Sequence, residues 1–156
     1  MLSCACLLAP LLGPVSASGA TVWREGAWLL DCRPMLGGFD CELRLAAPAA
    51  AARVSLRRDR LEGDVEIAVF EVRRDLPPDA GESFAWRLPD GQGGEGRLSV
   101  LGVSLAVMRL SAEALRGLPA QGEMEMAGAR VPFVWRLPLA GLAEGLSRLR
   151  VCGEEG

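Results

Sequence analysis

The stretch VPFVWRLPLAGLAEGLSRL, Val131 to Leu149, changes its hydrophobic period at its midpoint. Up to Leu137 every second residue is apolar, as in a strand with one buried face. The later leucines recur at helical spacing, at Leu139, Leu142, Leu146 and Leu149. Because proline donates no hydrogen bond to a sheet but fits a first helical turn, the junction predicts a strand ending at Pro138 and an amphipathic helix packed on a sheet.

Period-two runs upstream of this junction predict further strands. GAWLLDC begins one run, and LSVLGVSLAVMRL is either one buried strand or two strands bent at Gly102. The predicted inward residues of two other runs are Phe39, Cys41, Leu43 and Leu45, and Val65, Ile67 and Val69. Phe70 breaks the second pattern and indicates a bulge or a strand covered on both sides.

The intervening segments predict turns, one helical turn and a last hairpin. DGQGGEG is expected to be a flexible turn, and Ser111 and Gly117 to begin and end a short helix in SAEALRGL. Met124 and Met126 are expected to face the last strand across a hairpin. With seven or more short strands, the fold class is mainly β: a single-domain antiparallel β-sandwich or partly closed barrel with one short helix and a C-terminal amphipathic helix.

Composition excludes several kinds of chemistry. The 156 residues include no His, Lys, Tyr or Asn, so all 17 basic residues are arginines. The chain therefore has no imidazole for a Ser-His-Asp triad or a metal site, and no lysine for a Schiff base. A net charge of -3 argues against nucleic-acid binding, which usually requires a basic patch.

The first twenty residues resemble a secretory signal. An apolar run from Cys4 to Leu12 precedes small-x-small sites that end at Ala17 and Ala20. The positive start is missing, so a short buried segment is the alternative, and Cys4 and Cys6 stand in the wrong order for a lipidated cysteine. The sequence predicts a signal peptide over residues 1–20, one domain over 21–156, and a periplasmic or secreted protein without a transmembrane helix.

Export would leave Cys32, Cys41 and Cys152 in an oxidising compartment, where pairs of cysteines form disulfides. Cys32 and Cys41 flank a segment in which Gly37-Gly38 can reverse the chain between two strands. We therefore predict a Cys32–Cys41 disulfide. Cys152 is left over: it is free, pairs with a partner protein, or competes for one of the other two.

No other residues indicate a cofactor, a metal or a catalytic centre. The charged segment RDRLEGDVE holds Asp59, Glu62, Asp64 and Glu66, which we interpret as a solvated turn, and Asp90 as a turn residue. The tryptophans are expected in the core, with Trp23 the exception.

Several motifs, in this order, resemble the invasion-associated locus B family of alphaproteobacteria. GAWLLDC followed by FDCEL is similar to the family's W-x-x-x-C…C opening, and LPPDAG to its LP-x-G loop. GVSLAVMRLSAEALRGL resembles a Gly-Cys step that leads into a strand and a short helix. PLAGLAEGLSRL resembles the family's ending. The resemblance covers Gly26 to Leu149, with Val103 at the Gly-Cys position and Leu142 in place of a Phe.

The resemblance implies an exported, β-rich protein without catalytic residues, whose founding members are linked to bacterial invasion of host cells. Two classes of function follow. The first is a non-enzymatic periplasmic or secreted protein that acts through protein or envelope surface contacts, in invasion or colonisation. The alternative is a carboxylate-dependent hydrolase of envelope glycans, which needs two acidic groups about 5–10 Å apart in a cleft.

Overall fold

A computed structural model describes residues 20–36, 38–46, 52–58, 64–71, 76–77 and 81–152. Within these residues the strands are β1 (Ala20–Glu25), β2 (Trp28–Met35), β3 (Gly38–Leu45), β4 (Ala52–Arg58), β5 (Val65–Glu71), β6 (Ser83–Arg87), β7 (Gly93–Val100), β8 (Leu105–Leu110), β9 (Glu123–Gly128) and β10 (Trp135–Pro138). The helix α1 (Leu142–Cys152) follows. The predicted signal peptide lies outside the described residues, apart from Ala20.

The described strands form one antiparallel sheet in the order β1-β2-β3-β4-β5-β8-β7-β6-β9-β10. The hydrogen-bonded ladder does not close, so β1 and β10 are its two edges. This architecture confirms the predicted fold class, a mainly β domain of sandwich or partly open barrel type. No helix in the described part of the chain is both long and apolar enough to cross a membrane.

One row of buried side chains runs across six neighbouring strands and forms the centre of the core. Each member lies directly opposite the next in the strand register: Leu30, Leu43, Leu56, Ile67, Met108 and Leu98. All six are at most 3% exposed. The row explains why period-two alternation could be read from the sequence, since a shift of one residue would turn every apolar side chain to the outer face.

The two edges of the sheet meet at the junction on which the sequence changes period. Gly26, in the β1–β2 turn, has φ +56°, and a Cβ there would lie 2.8 Å from the carbonyl oxygen of Ala140. Gly141 has φ +81°, and its Cβ would lie 2.7 Å from the carbonyl oxygen of Glu25. Both conformations favour glycine. The β1–β2 turn and the β10–α1 junction therefore pack backbone against backbone.

Some local predictions are confirmed, and four are wrong. The apolar run is two strands, β7 and β8, with the bend at Gly102. The expected short helix in SAEALRGL is instead a run of turns, although Ser111 Oγ accepts a hydrogen bond from the Ala114 amide at 3.2 Å. Phe70 marks neither a bulge nor a strand covered on both sides, since it stays in regular register with both neighbouring strands and is 43% exposed. Phe39, however, is 43% exposed instead of inward, because it lies near the tip of the β2–β3 hairpin beyond the core row. DGQGGEG is not only a turn, since β7 already begins at Gly93.

The glycines of β7 make room for aromatic rings from β6. A Cβ at Gly94 would lie 3.1 Å from the Trp86 indole, and one at Gly96 would lie 2.6 Å from the Phe84 ring. These segments pair directly, with Trp86 opposite Gly94 and Phe84 opposite Gly96. Glycine, which usually weakens a strand, is therefore required here by the close approach of two large side chains.

Candidate functional site

Three cysteines that are far apart in sequence meet under the C-terminal end of α1. Cys32 on β2 lies directly opposite Cys41 on β3, and Cys152 is the last residue of the helix. Their sulfur atoms all lie within 4.8 Å of one another. Cys32 and Cys41 are each 8% exposed, whereas Cys152 is half-buried. We refer to Cys32, Cys41 and Cys152 as the cysteine cluster.

The helix reaches the cluster because its apolar face packs on β2 and β3. Leu142 and Leu149 are buried in that face, as the leucine spacing predicts. Gly145 lies directly over the sheet, where a Cβ would come within 2.8 Å of a methyl group of Leu43. Cys152 follows Leu149 by three residues and so continues the same helical face. That spacing is the signal by which the sequence could have placed Cys152 against the sheet.

The structure pairs Cys41 with Cys152 and leaves Cys32 as a thiol. The Cys32–Cys41 bridge stays a prediction: the strand register places these two residues opposite each other, and the helix brings a third sulfur to the pair. Cys32 Sγ lies 2.6 Å from Cys41 Sγ and 3.0 Å from Cys152 Sγ.

The Cys32 thiol is held in its protonated form. Burial raises the pKa of Cys32 above its ordinary value, since a thiolate is poorly solvated there. The neighbouring carboxylates of Asp31 and Asp40 raise it further, by repelling a second negative charge. Nucleophilic attack and metal coordination both require the thiolate, so Cys32 is a slow nucleophile at neutral pH.

A groove of about 540 Å³ opens beside the cluster, between β1, the β2–β3 hairpin and α1. Two of the cysteines line it, Cys32 and Cys152. Its apolar lining also includes side chains that are substantially exposed: Val22, Phe39 and Val151 are 57%, 43% and 46% exposed. We refer to this space as the cysteine groove. It offers an apolar contact surface next to a thiol and a disulfide.

A cation–π contact forms one wall of the cysteine groove. The guanidinium carbon of Arg148 lies 5.5 Å from the centroid of the Trp23 ring, and Arg148 Nε is 2.8 Å from Glu144 Oε1. Trp23 is half-buried, as expected, but so is Trp86, whereas Trp28 and Trp135 are buried in the core. The Glu144 carboxylate holds the arginine in place, so the guanidinium covers the ring.

The outer face of the sheet carries carboxylates and arginines as ion pairs. The closest pairs are Asp31 with Arg44 and Glu66 with Arg109. Glu42 is 3.4 Å from Arg57, and Asp64 is 3.9 Å from Arg97. The first three contacts join neighbouring strands, whereas the last runs from the residue before β5 to β7, two strands away. At this exposure each stabilises the fold by about 0–1 kcal/mol.

The acidic candidates from the sequence fall into three groups. Asp64 and Glu66 belong to the ion pairs of the outer face, whereas Asp59 and Glu62 lie outside the described residues. Asp90 Oδ1 accepts a hydrogen bond from the Gln92 amide at 2.9 Å, which is the predicted turn role.

A set of three cysteine sulfurs also has the donor chemistry of a site for a soft metal ion. Two of these sulfurs are joined in the Cys41–Cys152 disulfide, and a disulfide sulfur is not a thiolate ligand. The arrangement is therefore suited to thiol and disulfide chemistry in its present covalent state.

The fold is similar to the crystal structure of invasion associated protein B from Bartonella henselae. The match has a TM-score of 0.54 at 16% sequence identity and covers 85% of this chain and 96% of that chain. No family model matches the sequence, and no curated protein matches it. The chain thus has the fold of invasion associated protein B, which agrees with the resemblance in the order of its sequence motifs.

Proposed function

We propose that this chain is an exported, non-enzymatic protein of the invasion-associated locus B type, which acts in the periplasm or outside the cell through contacts with a protein or envelope partner. The observation that carries the proposal is the shared fold, which spans nearly the whole of both chains. Invasion of host cells or colonisation is the physiological setting that the neighbour's name suggests.

Two features support export. The apolar leader ends in small-x-small sites at the start of β1, so its removal would leave β1 in place from Thr21 onward. The Cys41–Cys152 disulfide is a covalent link of the kind that persists in oxidising compartments and is rare in reducing ones.

Two further features support a role in contact rather than catalysis. The chain has no histidine or lysine, and its outer-face carboxylates are engaged by arginines in cross-strand ion pairs. Apolar side chains protrude instead at the β2–β3 hairpin, where Met35 is 61% exposed and Leu36 is fully exposed. Exposed apolar groups that adjoin a groove are typical of a protein-binding surface.

The test is the intact mass of the protein recovered from a native-like envelope, after free thiols are alkylated and with and without subsequent reduction. We expect a chain that has lost residues 1–17 or 1–20 and contains one disulfide and one alkylated thiol. An uncleaved chain with all of its thiols alkylated would contradict export and would remove the basis for an envelope partner.

A further inference from the structure

Two different disulfides fit the backbone of the cysteine cluster. The Cα atoms of Cys41 and Cys152 are 6.4 Å apart, inside the roughly 4.4–6.8 Å range that a disulfide requires. Cys32 and Cys41 are directly opposed on antiparallel strands, which places their Cα atoms about 4.5–5.5 Å apart. Cys41 can therefore bond to either neighbour without a change in the fold.

The third sulfur is in contact with both atoms of the bond. Cys32 Sγ lies 2.6 Å from Cys41 Sγ and 3.0 Å from Cys152 Sγ. Thiol–disulfide exchange requires a thiolate that can reach a disulfide sulfur, and here that group belongs to the same folded domain. The first step therefore needs no approach by diffusion, only a side-chain rotation that brings Cys32 Sγ from beside the Cys41–Cys152 bond into line with it.

We propose that the cysteine cluster is a thiol–disulfide exchange site, in which Cys32 displaces Cys152 from Cys41. The released Cys152 thiol then forms a mixed disulfide with a partner that bears a disulfide. In the first step the Cys32 thiolate attacks Cys41 Sγ. The Cys32–Cys41 bond forms, the Cys41–Cys152 bond breaks, and the electron pair leaves on Cys152 sulfur, which takes up the proton that Cys32 lost. One disulfide and one thiol are present before and after, so no oxidant is consumed.

In the second step the freed Cys152 thiolate attacks an external disulfide. A mixed disulfide forms between Cys152 and one half of the partner, and the other half leaves as a thiol. Cys152 is suited to this step because it is only half-buried and lines the cysteine groove. Cys41, by contrast, is buried and does not line that groove. The apolar groove lining beside it, which includes Val22 and Val151, indicates a partner disulfide flanked by apolar side chains.

This site goes beyond the proposed function, since the exchange takes place within the folded chain and does not depend on export. The two ideas can therefore fail separately. A cleaved, oxidised protein that does not exchange would leave the proposed function standing, and an uncleaved protein that exchanges would leave the site standing.

The experiment uses the purified oxidised protein and oxidised glutathione as the probe disulfide. After incubation at mildly alkaline pH the reaction is quenched with acid, remaining thiols are alkylated, and the positions are read by non-reducing peptide mapping. Mapping separates the cluster from any adduct on Cys4 or Cys6. We expect glutathione on Cys152, with a Cys32–Cys41 disulfide in the same molecules.

The deciding variant is Cys32→Ser, with Cys32→Ala as a second form in case the first folds poorly. Both remove the attacking thiol, and we expect the Cys152 adduct to fall at least tenfold. Ser99→Ala is the control, since Ser99 is exposed on β7 and does not line the cysteine groove, and it should react like the parent protein.

Three outcomes would overturn the proposal. One is a glutathione adduct on Cys32 with the Cys41–Cys152 bond intact, because Cys32 and not Cys152 would then be the thiol that reacts with the external disulfide. Another is an unchanged yield on Cys152 in both Cys32 variants. The third is an isolated protein that has three free thiols in the cluster and binds Zn²⁺ through them, since the cluster would then be a metal site.

Discussion

The indole Nε1 of Trp28 donates a hydrogen bond to the carbonyl oxygen of Pro138, at a distance of 2.9 Å. Trp28 opens β2, beside one edge of the sheet, and Pro138 ends β10, the other edge. The bond therefore links the two ends of an open ladder, at the point where the chain leaves the sheet for α1. It also satisfies a buried polar group, because Trp28 is completely inaccessible to solvent.

Replacing Trp28 by Phe removes this hydrogen bond while keeping an aromatic ring in the core. We expect the free energy of unfolding to fall by about 2 kcal/mol, since a hydrogen bond is lost and a smaller ring leaves some space. Trp135→Phe is the matched control: it is 4% exposed, and its indole N–H has no hydrogen-bond partner among the described residues. Urea denaturation should show the larger loss for Trp28→Phe, and equal losses would contradict the proposed link.

Gly145→Ala tests whether α1 requires a glycine against the sheet. An alanine would gain about 1 kcal/mol of helix propensity, but its Cβ would lie 2.8 and 2.9 Å from the two methyl groups of buried Leu43. Because Leu43 is fully buried, overpacking of about 1–3 kcal/mol should prevail, and the variant should be less stable than the parent. Thermal unfolding measures this effect.

A second substitution distinguishes overpacking from a general effect on the helix. Leu43→Val together with Gly145→Ala should recover part of the loss, as the shorter side chain leaves space for the new methyl group. Ser147→Ala, on the same helix, should be neutral or stabilising. A Gly145→Ala protein that is more stable than the parent would show that the helix does not lie so close to β3.

Cys152→Ser should destabilise the protein by less than the full value of a long-range disulfide. The Cys41–Cys152 bond spans 111 positions, whereas Cys32 and Cys41 are 9 positions apart. Chain-entropy estimates assign about 4.8 kcal/mol to the longer loop and about 2.7 to the shorter one. If oxidation then joins Cys32 to Cys41, the loss in unfolding free energy should be near 2 kcal/mol.

The double variant Cys32→Ser with Cys152→Ser is the control, because no second disulfide can form in the cluster. Its loss should approach about 5 kcal/mol, measured by denaturant unfolding under oxidising conditions. Equal losses in the single and double variants would show that Cys32 does not replace Cys152 as the partner of Cys41.

Exchange within the cysteine cluster should accelerate steeply with pH. The pKa of Cys32 is raised by burial and by Asp31 and Asp40, so below that pKa the thiolate fraction grows about tenfold for each pH unit. Asp40→Asn removes one of the two nearby negative charges, lowers the pKa, and should increase the rate at a fixed pH. The measurement is the rate at which alkylation appears on Cys152, followed by peptide mapping from neutral to alkaline pH.

The control for that experiment is a carboxylate that lies away from all of the charged groups near the cluster. Asp31 is paired with Arg44 on the outer face, and Glu144 and Arg148 face the cysteine groove from α1, where they bind each other. Glu123→Gln changes a carboxylate on β9, which is not a neighbour of β2 or β3, and should leave the rate unchanged. A rate that is independent of pH would contradict attack by the Cys32 thiolate.

The class of fold could be predicted from the amino-acid sequence, because alternation and helical spacing record which face of each element is buried. The strands through Leu43, Ile67 and Met108 and the helix after Pro138 follow from local pattern, whereas the choice between one strand and two strands bent at Gly102 did not. Phe39 shows the limit of that reasoning, since alternation continues along a hairpin beyond the point where another layer covers it.

Whether a third cysteine joins Cys32 and Cys41 depends on contacts between distant parts of the chain. The hairpin placed Cys32 opposite Cys41, as the turn signal predicted, but the partner of Cys41 depends on where α1 lies. That position is set by contacts between residues about a hundred positions apart, among them Gly145 on Leu43 and Pro138 on Trp28. Local spacing puts Cys152 on the apolar face of α1, but it does not say which strands that face contacts, because those contacts arise only when the sheet presents its buried face to the helix.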